Sequence, residues 1–320
     1  MRRNLMKQIT LSEVASLLSE HDDFKILTHS YPDGDCLGCG YALAFALRKL
    51  GKRANVAVDG NLPSKFTYLV KHYEEQDFTP KYIVSVDVAA PALLGKSVME
   101  GVDHIDLCID HHGTNTLDAE YKYVDDTAAA AAEIIRELLE LLHVEIDEDI
   151  AAGIYTGVST DTGCFVYTNT TPRTHRIAAE MMPYCNWQEI NSINFVIKTR
   201  AKLRMERLVY KTMEFHASGK CAIIYTTLAM CEALGSGDDE MEGLANIPRR
   251  IEGVKIGITM REKAGGVFKI SVRTNDGINA AEFCKQFGGG GHPAASGCSI
   301  EGDLNTVKQT LIDAAEAFLQ

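Results

Sequence analysis

The sequence predicts an α/β protein of two domains, a parallel-sheet domain followed by a smaller α/β domain. Three observations point there. Short apolar runs alternate with longer helical patterns through the first half, the arrangement that builds parallel sheets. A charged helical stretch then separates this half from a second set of strand and helix patterns. The 320 residues, 46% hydrophobic and 24% charged, are enough for two ordinary cores.

The first strands are expected at Phe24–Thr28, Ala54–Val58, Tyr82–Val86 and Ile105–Ile109. Each is short, rich in β-branched or aromatic residues, and bounded by polar or turn residues. Helical periodicity covers Gly38–Leu50 and the Ala-rich Thr127–Leu142, and a further helix is expected at Asp149–Val158. Pro172 with Thr174 and His175 marks another helix start. Trp187 to Glu214 mixes Lys, Arg and Glu with spaced Ile, Leu and Val, as an exposed connecting helix does. Beyond it, Cys221–Thr226, Val254–Met260 and Phe268–Val272 read as strands, and Asn279–Phe287 as a helix running into glycines. The expected division is therefore residues 1–186, a helical linker at 187–214, and residues 215–320.

Composition excludes several classes. No apolar run approaches the ~18 residues of a membrane span, and the first twenty residues lack a signal-like apolar block, so a cytoplasmic protein without a membrane partner is expected. Nine scattered cysteines, an odd number, fit reduced thiols better than a disulfide framework. The net charge of −12 argues against coating a long nucleic acid, which needs many cationic contacts to phosphate. A small anion remains allowed, since bound divalent ions are the largest charges in their site. Oligomeric state is left open, a homodimer included.

Chemistry concentrates in four segments: His29-Ser30-Tyr31-Pro32-Asp33-Gly34-Asp35, Val86-Asp87, Asp110-His111-His112 and Thr160-Asp161-Thr162-Gly163. Three directly follow an expected strand, and residues just past the carboxyl ends of parallel strands converge in one crevice. Carboxylate oxygen with imidazole nitrogen suits Mn²⁺ and related first-row ions, with Zn²⁺, Mg²⁺ and Co²⁺ as alternatives. The number of carboxylates points to two ions sharing a bridging ligand. Taken singly these segments are weak signals, and Asp33-Gly34 alone is an ordinary turn. Cys36-Leu37-Gly38-Cys39 has the spacing of a thiol pair, but lacks a partner motif and reads as two small packing residues. Arg273 on an expected strand is equally readable as a surface residue.

The four segments in this order, with Asp110-His111-His112 as the Asp-His-His triplet, resemble the DHH phosphoesterase superfamily. The distal Gly288-Gly289-Gly290-Gly291-His292-Pro293-Ala294-Ala295-Ser296-Gly297 resembles the glycine-rich signature of the DHH-associated substrate domain. Length, layout and the segments Thr156–Phe165 and Ser271–Asn275 are most similar to the nanoRNase and pAp phosphatase branch. The resemblance implies one metal held by His29, Asp33 and Asp87 and another by Asp35, Asp87, His111 and Asp161, with Asp87 as the bridge. It further implies that Asp110 supports a ligand, that His112 faces substrate as a hydrogen-bond donor or general acid, and that Arg273, His292 and the amides of Gly289, Gly290 and Gly291 bind it. The implied partners are short oligoribonucleotides, pAp or small dinucleotides. The implied activity is release of mononucleotides and of the 3′ phosphate of pAp, at a site between the two domains. Cleavage of cyclic dinucleotides or linear pApA is the alternative, and a silent nucleotide sensor is the alternative of another class.

Overall fold

A computed structural model describes residues 7–235, 241, 243–275 and 277–319, with the backbone alone at His292. Two compact units result, Met1–Ile197 and Lys198–Gln320.

The first unit contains β1 (Lys7–Gln8), α1 (Leu11–Glu20), β2 (Phe24–Leu27), α2 (Gly34–Lys49), β3 (Ala54–Ala57), β4 (Tyr82–Val86), β5 (Leu107–Asp110) and β6 (Tyr121–Val124). It continues through α3 (Ala131–Leu141), α4 (Glu148–Asp161), α5 (Pro172–Met181) and α6 (Trp187–Asn191). The strands form one parallel sheet in the order β1-β6-β5-β4-β2-β3. Every residue of β4 is buried, which is why this central strand reads as an apolar run interrupted only by Ser85. From β2 the chain moves outward to β3 and then returns to β4 on the other side. A ligand crevice is expected beyond the carboxyl ends of β2 and β4, where the order reverses.

Helix α2 starts at Gly34, four residues before the expected Gly38. The Asp33 carboxylate accepts from the amides of Asp35 and Cys36 at 3.1 Å each, so what reads as a turn is an N-cap. Helix α3 starts at Ala131, later than the expected Thr127, and its N-cap residue Ala130 supplies no side-chain bond. Its first amides are met from elsewhere: Ala131 and Ala132 donate to Asp35 at 2.6 and 2.9 Å. Helix α4 runs three residues beyond the expected Val158 and so carries Asp161 in its last turn. Helix α5 starts at Pro172 as expected, with Thr171 in a capping box.

Glycines bring α2 and α4 together. A Cβ at Gly38 would lie 2.3 Å from the Gly153 carbonyl oxygen, and one at Gly157 would lie 2.5 Å from Asp35 Oδ1. The helix backbones therefore touch, and the carboxylate of Asp35 lies over Gly157. The expected connecting helix is interrupted. After α6 a single wide turn spans Ser192–Val196, Ile197 is extended (φ −74°, ψ 133°), and Thr199 caps a new helix.

That helix, α7 (Arg200–Lys211), opens the second unit, followed by β7 (Glu214–His216), β8 (Cys221–Thr226), α8 (Leu228–Leu234), β9 (Ile256–Lys263) and β10 (Val267–Thr274). The unit ends with α9 (Ala280–Lys285), β11 (Gly290–His292), β12 (Ala295–Glu301) and α10 (Leu304–Phe318). Its mixed sheet runs β11-β12-β10-β9-β8-β7, parallel only at β8–β9. On β10, Phe268, Ile270 and Val272 enter the core while Lys269, Ser271 and Arg273 line the opposite face. All nine cysteines are free thiols. Among the described residues, no helix is long and apolar enough to cross a membrane.

The α2–α4 contact generates a stability prediction. Gly153→Ala places a methyl 2.6 Å from the Gly38 carbonyl oxygen and 3.0 Å from Ala42 Cβ. Urea denaturation of the variant should show a loss of about 1–3 kcal/mol, the usual cost of forcing a carbon into a filled core.

Candidate metal centre

The strand ends and helix termini deliver their polar residues to the switch point of the first sheet. His29 follows β2, Asp87 follows β4, Asp110 ends β5, and His111 and His112 come next. Asp33 and Asp35 sit at the start of α2, and Asp161 at the end of α4.

Two groups of donors meet at Asp87. His29 Nε2 lies 3.8 Å from Asp33 Oδ1 and 4.0 Å from Asp87 Oδ2. His111 Nε2 lies 3.5 Å from the other oxygen, Asp87 Oδ1, 3.4 Å from Asp161 Oδ2 and 4.0 Å from Asp35 Oδ2. The two oxygens of one carboxylate thus face two donor sets. Asp87 itself has φ 55°, a left-handed conformation that Asp and Asn tolerate better than most residues, and its amide donates to the Ile109 carbonyl at 3.0 Å.

The imidazoles are oriented from behind. His29 Nδ1 is 3.0 Å from the Ser30 carbonyl oxygen, and His111 Nδ1 is 3.2 Å from that of Ala128, so each presents Nε2 to the carboxylates. His112 is held differently: its Nδ1 donates to Asp110 Oδ1 at 2.8 Å. Asp110 also accepts from the amide of His111 at 2.8 Å and from Asn115 Nδ2. It supports both neighbours without reaching out itself.

Electrostatics show what the cluster requires. Burial raises Asp87 well above the ordinary carboxylate range, and the charges of Asp35 and Asp33 add to it. Asp161 is raised in the same way, by burial and then by Asp35, Asp33 and Asp87. In Asp35 burial outweighs the pull of His111 and of the two α3 amides, so it rises too. Burial disfavours a proton on His29, but Asp33, the Ser30 carbonyl and Asp87 overcome this and lift it to about 9. Asp110 moves the other way: burial would raise it, but His112 and Asn115 hold it below the ordinary range. Carboxylates so crowded cannot all ionise without added positive charge. Asp87 Oδ1 is moreover buried with no hydrogen-bond partner, a lone pair aimed into the cluster. The donor set fits divalent cations.

Two residues near the cluster were not singled out for it from sequence. Cys36 Sγ lies within 4.8 Å of donor atoms of His29 and Asp87, but it accepts from the His29 amide at 3.3 Å and is positioned to donate to the Val86 carbonyl at 3.5 Å. Burial and nearby carboxylates push this thiol up, as they do Cys39, whose Sγ is 3.4 Å from Asp35 Oδ1. Both are packing thiols. Asn115 is the second residue. It lies on the loop after the triplet, where nothing in the local pattern marks it.

The residues of the second unit stand apart in kind. Arg273 lines a groove with Lys269, Ser271, Gly288, Gly290 and Ser296. The expectation that Gly289 offers its amide to a ligand needs correction. Its N–H donates to the Cys284 carbonyl at 3.0 Å, and that of Gly288 to Lys285 at 3.1 Å, closing the end of α9. Gly289 is required sterically, because a Cβ there would meet the Gly297 carbonyl oxygen at 2.2 Å. Gly290 and Gly291 pair with Gly297 and Ser296 as an edge strand. The side chain of His292 lies outside the described residues.

A carboxylate–imidazole cluster at the switch point of a parallel sheet, built around a shared carboxylate, defines a candidate centre for divalent metal. Residues 23–158 match the DHH family, N-terminal domain, and residues 223–320 match the DHHA1 domain. The chain is 32% identical over 301 residues to the bifunctional oligoribonuclease and PAP phosphatase NrnA of Thermus thermophilus, covering 92% of this chain and 89% of that one. It is 27% identical over 308 residues to the protein of the same name from Mycoplasma genitalium, covering 92% and 94%. In fold it is similar to the crystal structure of an exopolyphosphatase-related protein from Bacteroides fragilis, with a TM-score of 0.85 at 22% identity over 96% of both chains. The chain belongs to the DHH/DHHA1 family of metal-dependent phosphoesterases.

Metal binding should release protons, because the raised carboxylates and His29 must lose them before they can donate. Calorimetric titration with Mn²⁺ in buffers of different ionisation enthalpy should show net proton release. Apparent affinity should rise with pH until His29 has deprotonated near 9. A pH-independent affinity without proton release would contradict the charge balance described for the cluster.

Proposed function

We propose that this phosphoesterase hydrolyses short nucleotides, releasing mononucleotides from very short oligoribonucleotides and the 3′ phosphate from pAp. The observation that carries the reading is the meeting of two donor sets at the two oxygens of Asp87 beside His112. It is supported by whole-chain similarity to relatives named for those two activities.

In this reading His29, Asp33 and Asp87 hold one cation, and Asp35, Asp87, His111 and Asp161 hold the other. Mixed nitrogen and oxygen donors without thiolate favour Mn²⁺. When bound, the two cations supply positive charge for the phosphoryl oxygens and acidify water. The protein's own part is then positioning and proton transfer. With Nδ1 given to Asp110, His112 can meet a phosphate oxygen or leaving oxygen only through Nε2, the edge suited to a general acid. Asp110, kept ionised by its hydrogen bonds, holds the Nδ1 proton of His112 and so orients the ring. In the second unit we assign nucleotide phosphate binding to Arg273, His292, Gly290 and Gly291, a role that suits a guanidinium and backbone amides. The net charge of −12 suits a substrate gripped at a few phosphates rather than along a strand.

The test is incubation of the Mn²⁺-loaded protein with pAp, a ladder of two- to five-nucleotide RNAs and cyclic di-AMP, with products resolved by chromatography. AMP from pAp and mononucleotides from the ladder are expected. Preferential opening of cyclic di-AMP would move the assignment to cyclic dinucleotides, and stable binding without turnover would make the protein a sensor. The control is Asp87→Asn, since asparagine keeps the left-handed backbone that alanine would strain. It should lose more activity than the roughly 10–100-fold typical of removing an outer partner of a metal ligand.

A further inference from the structure

Strand β6 carries a lysine where a sheet interior normally carries an apolar residue. Lys122 is 2% exposed and pairs across the sheet with Cys108 of β5. A buried ammonium is costly unless it is well paired, and here its Nζ donates to Asn115 Oδ1 at 2.8 Å. The same oxygen accepts from the amide of Leu117 at 2.9 Å. The other end of the amide, Asn115 Nδ2, donates to the Val88 carbonyl at 2.9 Å and to Asp110 Oδ2. All four hydrogen-bonding positions of Asn115 are used, two donors facing its oxygen and two oxygen acceptors facing its nitrogen, with Cys108 Sγ a longer third contact to that nitrogen at 3.6 Å. Reversing the amide would turn each of those four contacts repulsive.

We propose that Lys122 is a positioning residue for His112, acting through Asn115 and Asp110. The positive charge on one side of Asn115 holds its oxygen toward β6 and its N–H₂ toward Asp110. That leaves Asp110 Oδ1 to accept from His112 Nδ1, fixing the tautomer whose Nε2 edge is presented to substrate. Through the Val88 carbonyl the same amide steadies the backbone immediately after Asp87. The ammonium of Lys122 and the carboxylate of Asp110 are both buried, and the amide between them lets one balance the other without contact.

The inference rests on the role given to His112 in hydrolysis, and its test separates the two. Lys122→Met keeps the length of the side chain and removes the charge. We expect kcat to fall roughly tenfold or more, with KM and bound-metal stoichiometry little changed. Thermal stability should fall, since removing one member of a balanced buried charge pair leaves the other, Asp110, uncompensated. In the Mg²⁺-loaded protein, long-range ¹H–¹⁵N spectra of the imidazoles should show His112, assigned with His112→Gln, losing its Nδ1-protonated pattern. Asn115→Asp, which keeps Lys122 but sets oxygen against Asp110, should give the same kcat and spectroscopic changes and serves if Lys122→Met does not fold. Unchanged kcat and an unchanged His112 pattern in a folded variant would overturn the proposal. Failure of the wild type to cleave any nucleotide would overturn the functional reading, while the tautomer measurement would still decide the role of Lys122.

Discussion

The mutual repulsion of Asp35, Asp87 and Asp161 is the constraint around which the first unit is arranged. Three carboxylates are brought close to one imidazole in a buried crevice, and burial and like charge raise all three. Such a cluster works against folding unless partial positive charge is supplied before any ion arrives. The fold supplies it from backbone dipoles. Helix α3 turns its first amides onto Asp35, and Asp33 takes the first amides of α2. Bound cations complete the compensation, which makes the site a demand for metal as much as a receptor for it.

The contrast between the two roles of aspartate follows from the same physics. Asp87 keeps one oxygen without a hydrogen bond and is available to a cation. Asp110 has both oxygens occupied, by His112, the His111 amide and Asn115, and is therefore a holder of other groups. Asp110 ends β5 two positions before His112, and what it can do is set by its partners in the triplet itself and by Asn115 on the loop beyond it.

Much of this was legible in the sequence because the chemistry lies at strand ends. Apolar runs ending in His29, Asp87 and Asp110 announce both a parallel sheet and the crevice beyond it, and the central strands fall where the runs do. What could not be read depends on contacts between distant segments. Asp33-Gly34 has the composition of a turn, and only the fold makes it a cap. The start of α3 is set by Asp35, almost a hundred residues away. Strand β6, Tyr121–Val124, holds a lysine that local pattern assigns to a surface, so neither the strand nor the Lys122–Asn115 pairing was visible. In the second unit the sequence marks the glycine cluster as a source of amide donors, but the fold gives the amides of Gly288 and Gly289 to the end of α9 and places Gly290 and Gly291 on an edge strand.

The glycine contact between α2 and α4 has a mechanical consequence. Where side chains separate two helices, their spacing can breathe as rotamers exchange. Here peptide groups meet directly at Gly38 and Gly153, and no rotamer stands between them. Asp35 and Asp161 are mounted on the two halves of that stiff block, so the gap between them is a property of main-chain contact. That frame cannot readily widen, so the separation of the two carboxylates is fixed by glycine positions that carry no chemistry of their own.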